Sequence, residues 1–172
     1  MTEFTIDIRA VGNQAELHAA RNIIAEYVAS ISNFACASFA HQNVEKELAD
    51  LPGEYVSPMG GLWLAWKDDE VEPIGCIALR PVKSHLPRER IRRVGEIKRM
   101  YTRPAARGRG VARRMCEVVM AAARAAGYTH IWLDSDTELH AARRLYESLG
   151  FVTIERFNQD PDPKTIYLGR TL

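Results

Sequence analysis

The sequence is poor in the features that mark secreted, membrane and metal-stabilised proteins. Only three of its 172 residues are cysteine, and Cys36, Cys76 and Cys116 are odd in number and far apart, which argues against a disulfide framework and favours a reducing compartment. The five histidines do not combine with these cysteines at zinc-finger spacing, so we expect no metal. No apolar run approaches the roughly 18 residues that span a membrane, and the N-terminus MTEFTIDIRA does not resemble a signal peptide. We therefore expect a cytoplasmic protein without a membrane partner.

What the sequence does contain is typical of one folded domain. Hydrophobic residues make up 47% and charged residues 26% of the chain, the balance of a globular protein. There is no internal repeat, low-complexity segment or linker. A length of 172 residues is enough to bury a sizeable core. We predict a single domain over residues 1–172.

The charge of the chain is distributed unevenly. Between Arg80 and Arg114 there are thirteen lysines and arginines but only two acids, a net charge of +11 that leaves −10 for the rest of a chain whose total is +1. Such asymmetry indicates a polyanionic partner bound at one place. It does not distinguish a nucleic acid from a small phosphorylated molecule.

Periodicity of the apolar residues predicts an α+β fold. We expect a mixed, mostly antiparallel central sheet with helices on both faces, the two C-terminal helices covering opposite faces. The predicted elements are strand Phe4–Arg9, helix Asn13–Ile31, helix His41–Asp50, a hairpin of Leu62–Trp66 and Ile74–Leu79 around Lys67-Asp68-Asp69-Glu70, a basic loop Pro81–Arg93, strand Glu96–Thr102, a helix from Gly110 to Gly127, strand Tyr128–Leu133, helix Leu139–Leu149, and strands Phe151–Arg156 and Thr165–Leu168.

The turn Arg107-Gly108-Arg109-Gly110 precedes a predicted helix and is the most unusual stretch of the chain. Cations at a helix N-terminus are unfavourable unless an anion binds there, because that end carries partial positive charge. The two glycines leave backbone N–H groups unshielded, which suits a pyrophosphate. No Gly-Lys-Ser/Thr follows, so this is not a nucleotide triphosphatase loop. A basic helix start neutralised by nearby acids is the alternative.

Three motifs in this half of the chain together resemble the GNAT superfamily of N-acetyltransferases. Arg107–Ala112 is similar to the family's acetyl-CoA signature Arg/Gln-x-x-Gly-x-Gly/Ala. Glu96–Tyr101 resembles its central strand, and Ala142–Phe151 resembles its Ala-x-x-Leu-Tyr-x-x-x-Gly-Phe ending. The resemblance covers Glu96 to Phe151 and implies a GNAT-like acyl-CoA N-acyltransferase fold. It also implies direct transfer of an acetyl group from acetyl-CoA, the co-substrate, to the primary amine of a small molecule.

The resemblance implies roles for individual residues. Glu96 stands where many members hold a base acting through water, although a strand-end carboxylate paired with Arg99 or a lysine is the simpler interpretation. Tyr146 stands beside the thioester sulfur in the family, where its hydroxyl donates to the departing thiolate; otherwise it is a core tyrosine. Leu139 replaces the family's asparagine and is not carried over. The implied cofactor-binding residues are Met100, Tyr101, Thr102, Arg107, Gly108, Arg109, Gly110, Val111, Ala112, Arg113 and Ala142.

Two other functions remain open at this level. A nucleic-acid-binding protein would use segment 80–114 as a phosphate track, but no aromatic platform interleaves with its arginines, so we expect no nucleic-acid partner. A CoA-sensing domain without catalysis is the other alternative. GNAT proteins commonly form homodimers, but the sequence identifies no interface.

The acceptor is the least constrained part of the prediction. The basic loop with Arg88, Arg90, Arg92 and Arg93 could recruit an acidic acceptor, hold the 3′-phosphate of the cofactor or be solvated. Three aromatic residues, Tyr55, Trp63 and Trp66, could line an acceptor pocket or pack in the core. The acidic stretches 134–136 and 160–163 are interpreted as turns with a helix cap.

Overall fold

The computed structural model describes residues 5–68 and 70–172, which form one seven-stranded sheet flanked by helices. The strand order is β1-β2-β3-β4-β5-β7-β6, and every neighbouring pair is antiparallel except β4 and β5. The elements are β1 Ile6–Ala10, α1 Gln14–Gln42, α2 Val44–Asp50, β2 Gly61–Lys67, β3 Gly75–Pro81, α3 Arg88–Ile91, β4 Val94–Thr102, a 3₁₀ turn Pro104–Ala106, α4 Val111–Ala125, β5 His130–Asp136, α5 His140–Ser148, β6 Val152–Thr153 and β7 Thr165–Thr171. The predicted fold class is confirmed. Phe4 and Asp69, which belong to a predicted strand and turn, lie outside the described residues.

The sheet buries a different core on each face. Alternate residues of one strand point to opposite faces, so Ala65 packs with α4 whereas its neighbour Leu64 packs with α1. Helices α4 and α5 contribute Met115, Val119 and Tyr146 to the same cluster. The prediction that the two C-terminal helices cover opposite faces is therefore wrong, because α1 covers the second face.

Helix α1 is longer than the sequence pattern predicts. Asn13 caps its start by accepting a hydrogen bond from the Glu16 N–H at 2.9 Å, and the helix bends at Ala35, whose φ and ψ are −106° and 15°. Asn43, in the left-handed conformation, separates it from α2. Helix α1 has 29 residues, and an 18-residue window of it has a mean hydropathy of 1.3, so by length and composition alone it could cross a membrane, although polar residues interrupt its apolar ones. Its residues Ile23 and Ile24 are buried against the sheet.

The two parallel strands in the middle of the sheet diverge. Only Val94–Glu96 of β4 pair with β5, opposite His130–Trp132. Farther along, β4 contains a bulge, because its register with β3 passes from Lys98 opposite Ala78 to Tyr101 opposite Cys76. Residues 133–136 of β5 continue to pair with β7 instead. The divergence opens a cleft between the carboxyl ends of β4 and β5.

Candidate active site

The cleft between β4 and β5 forms a cavity of about 760 Å³. Its walls come from α1, the end of β4, the start of α4, the end of β5, α5 and the segment between β6 and β7. Ten of the eleven predicted cofactor-binding residues line it, and exposed Arg109 does not. Of the two predicted catalytic residues, Tyr146 lines the cavity and Glu96 does not. One cavity therefore brings together most residues that the motifs singled out.

The first wall of the cavity, the basic wall, consists of Arg107, Gly108 and Gly110–Arg113. Gly108 and Gly110 have φ of +75° and +80°, and a Cβ at either would meet no atom of the described chain within 4 Å. Helix α4 begins at Val111 without a side-chain cap and without an acid in its first turn. Its free N–H groups thus lie beside exposed arginines, an arrangement that fits an anion.

A buried hydroxyl beside the basic wall has no hydrogen-bond partner in the described part of the chain. The Thr102 hydroxyl is buried and makes no hydrogen bond within the described chain, and Thr102 lines the cavity at the end of β4. The Arg107 Nε–H donates to the Thr102 carbonyl at 3.1 Å and holds the strand end against the turn. Beyond Glu96, β4 has no strand partner on its β5 side among residues 5–68 and 70–172. An unpaired strand edge, a hydroxyl without a partner and a helix N-terminus suited to a phosphate follow one another along the chain. Together they fit an extended, phosphorylated cofactor such as acetyl-CoA.

Tyr146 lies on α5 and is buried, with its ring 5.5 Å from that of Phe151. Burial raises the pKa of its phenol well above 10, with minor contributions from nearby Cys116 and Tyr27. Its hydroxyl makes no hydrogen bond to another described residue, although Tyr146 lines the cavity. The side chain is thus a protonated donor without a hydrogen-bond partner in the described part of the chain.

Glu96 occupies a different environment. It is 1% exposed, and the Arg80 Nε–H donates to its Oε2 at 2.9 Å, while Lys98 Nζ lies 3.7 Å from Oε1. It is a buried partner of two cations at the start of β4. The structure therefore does not bring Glu96 to the cavity with Tyr146, and its role as a base stays a prediction.

The second wall of the cavity, the acidic wall, consists of Asp134, Asp136 and Asp160, none of which the sequence predicts as a site residue. Asp134 and Asp136 lie within β5 rather than in a turn, because β5 continues to pair with β7 up to Asp136 opposite Thr165. Asp160 is 2% exposed and accepts a hydrogen bond from Ser38 of α1 at 2.9 Å. Alternation places both aspartates of β5 on one face, but this signal can be used only once β5 is known to extend to Asp136.

Asp134 is matched by a buried cation. The Lys98 ammonium donates to its Oδ1 at 2.8 Å, and the Asn158 amide donates to its Oδ2 at 2.8 Å. Burial alone would raise the pKa of this carboxyl, but Lys98 and Asn158 outweigh burial and hold the pKa below its ordinary value. Asp134 and Lys98 therefore form a fixed ion pair in the wall.

Several cations of segment 80–114 are neutralised by acids from elsewhere in the chain. Arg80 and Lys98 both contact Glu96 inside the segment, whereas other pairs bring in acids from outside it. The pairs to outside acids are Arg80–Glu54, Lys83–Glu54, Arg90–Glu155, Lys98–Asp134, Arg99–Glu47, Arg103–Glu26 and Arg103–Glu72. The net charge of +11 counted along the sequence is therefore not the net charge of this region in the folded protein.

The other proposed acceptor residues lie away from the cavity. Tyr55 and Trp66 are buried in the core on the α1 face, and Trp63 packs against the opposite core. None of them lines the cavity, so the idea of an aromatic acceptor pocket from these residues is wrong. The loop arginines 88, 90, 92 and 93 do not line it either; Arg90 pairs with Glu155.

Comparisons with known proteins agree with this geometry. The family model for the acetyltransferase (GNAT) family matches residues 28–151. An uncharacterized N-acetyltransferase of Schizosaccharomyces pombe is 29% identical over 168 residues, 98% of this chain and 96% of that protein. The uncharacterized N-acetyltransferase YsnE of Bacillus subtilis is 32% identical over 64% of this chain and 68% of its own length. The structure of yncA from Salmonella typhimurium with its cofactor acetyl-CoA has a TM-score of 0.65 at 17% identity, covering 96% of this chain and 93% of that one.

Proposed function

The chain belongs to the acetyltransferase (GNAT) family and is an acetyl-CoA-dependent acyltransferase, and from that premise we propose that its acceptor is the primary amine of a small molecule. The observation that carries this proposal is the hydrogen bond from Ser38 Oγ to Asp160 Oδ1 at 2.9 Å. It ties α1 to the segment between β6 and β7, and both residues line the cavity. Walls joined in this way favour a compact acceptor over a polypeptide, which needs a groove open along its length.

The residues of the basic wall would hold the cofactor. The free N–H groups at the start of α4 and the arginines 107 and 113 would bind its pyrophosphate, while the unpaired edge of β4 and the Thr102 hydroxyl would bind its extended arm. Acetyl-CoA supplies an activated acetyl group as a thioester. No strand pairs in register with Met100, at the bulge of β4, so its N–H is a candidate donor to the thioester oxygen.

Tyr146 supplies the hydrogen-bond donor on the leaving-group side. A phenol whose pKa is raised by burial stays protonated at neutral pH, so the hydroxyl donates to a departing sulfur without first having to gain a proton. The reacting nitrogen of the acceptor must be neutral when it attacks the thioester, because a protonated amine has no lone pair for attack. We also propose a cytoplasmic location, in keeping with three cysteines that are all free.

A binding and a turnover measurement test this function together. Acetyl-CoA at about 100 times Kd should raise the melting temperature by roughly 5–10 °C, whereas ADP should have a smaller effect and a short DNA duplex almost none. Small primary amines should then release free thiol from acetyl-CoA faster than peptides with a free N-terminus. A protein stabilised by acetyl-CoA that acetylates only peptides would contradict the small-molecule acceptor. Absence of both stabilisation and thiol release would contradict the enzyme activity itself.

A further inference from the structure

The buried cations on the α1 face of the sheet are each matched by an acid. Arg80 pairs with Glu96, and Lys98 pairs with Asp134. Arg99 binds Glu47 of α2 through two hydrogen bonds of 2.7 and 2.9 Å. Lys98 and Arg99 line the cavity, but their charges are already compensated, so they are poorly suited to recruit an anionic acceptor.

Two buried carboxylates of the acidic wall have no such match. Asp136 and Asp160 are 7% and 2% exposed, and neither forms an ion pair with any residue of the described chain. Both line the cavity. A buried carboxylate without a cation is costly, which indicates that the compensating charge comes from a ligand.

Hydrogen bonds within the chain reach only one oxygen of each carboxylate. Oδ1 of Asp136 accepts from the Glu138 N–H at 2.7 Å. Oδ1 of Asp160 accepts from the Ser38 hydroxyl and from the Asp162 N–H, both at 2.9 Å. The Oδ2 atoms have no partner among residues 5–68 and 70–172. Each side chain is thus oriented by one oxygen and retains the other for a donor in the cavity.

From this arrangement we propose that the acceptor is an amine with at least two cationic groups, such as an α,ω-diamine or a polyamine. Asp136 and Asp160 hold an ammonium group that does not react, and another nitrogen of the same molecule is acetylated. This inference rests on the proposed function. The reacting nitrogen forms an amide bond as the thioester C–S bond breaks; the amine loses one proton and the departing sulfur gains one. An α-amino acid would instead place its carboxylate near two uncompensated carboxylates.

A matched pair of amines tests the inference. We expect 1,5-diaminopentane to exceed n-pentylamine in kcat/KM by about 30-fold or more, the equivalent of one buried charge-assisted contact. Asp160→Asn and Asp136→Asn should each remove most of this preference, mainly by raising KM for the diamine. Calorimetry in the presence of CoA should show the same loss of diamine binding, which separates recognition from catalysis.

Asp162→Asn is the matched control, because Asp162 lies in the same segment but does not line the cavity. Its side chain accepts from the Lys164 N–H at 2.9 Å, and an asparagine oxygen can do the same. This variant should keep the wild-type preference. Equal activity on the two amines, or a preference for an amino acid, would overturn the dication proposal while leaving the enzyme activity in place. Acetyl-CoA binding without acetylation of any amine would overturn both.

Discussion

The basic and acidic walls of the cavity are built in opposite ways. The basic wall comes from one short stretch, 107–113, and relies on backbone: two glycines in the left-handed conformation and the free end of α4. The acidic wall comes from two distant segments and relies on side chains whose charges require partners. A wall built from backbone, such as the basic wall, suits a cofactor that a whole family shares. A wall built from side chains, such as the acidic wall, can vary with the acceptor.

The largest expected effect comes from breaking the ion pair between Asp134 of the acidic wall and Lys98. Asp134→Asn leaves the buried Lys98 ammonium with only Glu96, 3.7 Å away. Because an uncompensated buried charge is strongly destabilising, we expect the free energy of unfolding to fall by about 3 kcal/mol, measured by urea denaturation. Asp162→Asn, outside the cavity, should change it by less than about 0.5 kcal/mol. A loss below about 1 kcal/mol would mean that the wall does not depend on this pair.

The pH dependence of the same variant provides a second check. The pKa of Asp134 is lower in the folded protein than its ordinary value of 3.8, so the pair contributes stability above that value and loses it as the pH falls through the folded pKa. The difference between wild type and Asp134→Asn should therefore be constant from about pH 5 to 8 and shrink only below about pH 4. A difference that already shrinks near neutral pH would contradict the lowered pKa.

Removing one hydroxyl tests the chemistry between the walls. Tyr146→Phe should lower kcat about 100-fold, the lower range for a positioned acid, and should change KM for acetyl-CoA by only a few-fold. Tyr128→Phe is the matched control, because the Tyr128 hydroxyl donates to the Met59 carbonyl at 2.7 Å and Tyr128 does not line the cavity. If both variants kept wild-type kcat, Tyr146 would be a core residue only.

A pair of glycine substitutions isolates the backbone of the basic wall. Gly110 and Gly127 flank α4 with φ of +80° and +86°, and a Cβ at either meets open space. Alanine at either position should cost about 1 kcal/mol of stability, because L-residues are strained there. Only Gly110→Ala should also weaken acetyl-CoA binding, by about tenfold, the value of one hydrogen bond to a charged group. Equal affinities in calorimetry would contradict a backbone cradle at Gly110.

The difference between the walls also explains how far the sequence predicts this molecule. The sheet, the hairpin and the basic wall follow from local signals, since Gly108, Gly110 and the apolar period of α4 are adjacent in the chain. The local sequence predicts turns at Asp136 and Asp160, because nothing in it shows that β5 extends past Leu133 or that α1 contacts residue 160. Glu96 likewise matched a family position, but its burial against Arg80 depends on the pairing of β3 with β4. The surroundings of these three carboxylates therefore depend on contacts between segments that are distant in sequence.

The smallest expected effect separates side chains from backbone within the basic wall itself. Arg113 and Arg114 are neighbours in the first turn of α4 and both are exposed, but only Arg113 lines the cavity. Arg113→Gln should weaken acetyl-CoA binding about threefold at low salt, as for an exposed ion pair, whereas Arg114→Gln should leave it unchanged. Raising the salt should reduce the difference, because the charges are screened within about 10 Å at 0.1 M ionic strength. If both variants lost affinity equally, the arginines would act through their long-range field, and recognition at this wall would rest on the backbone of residues 108–112 alone.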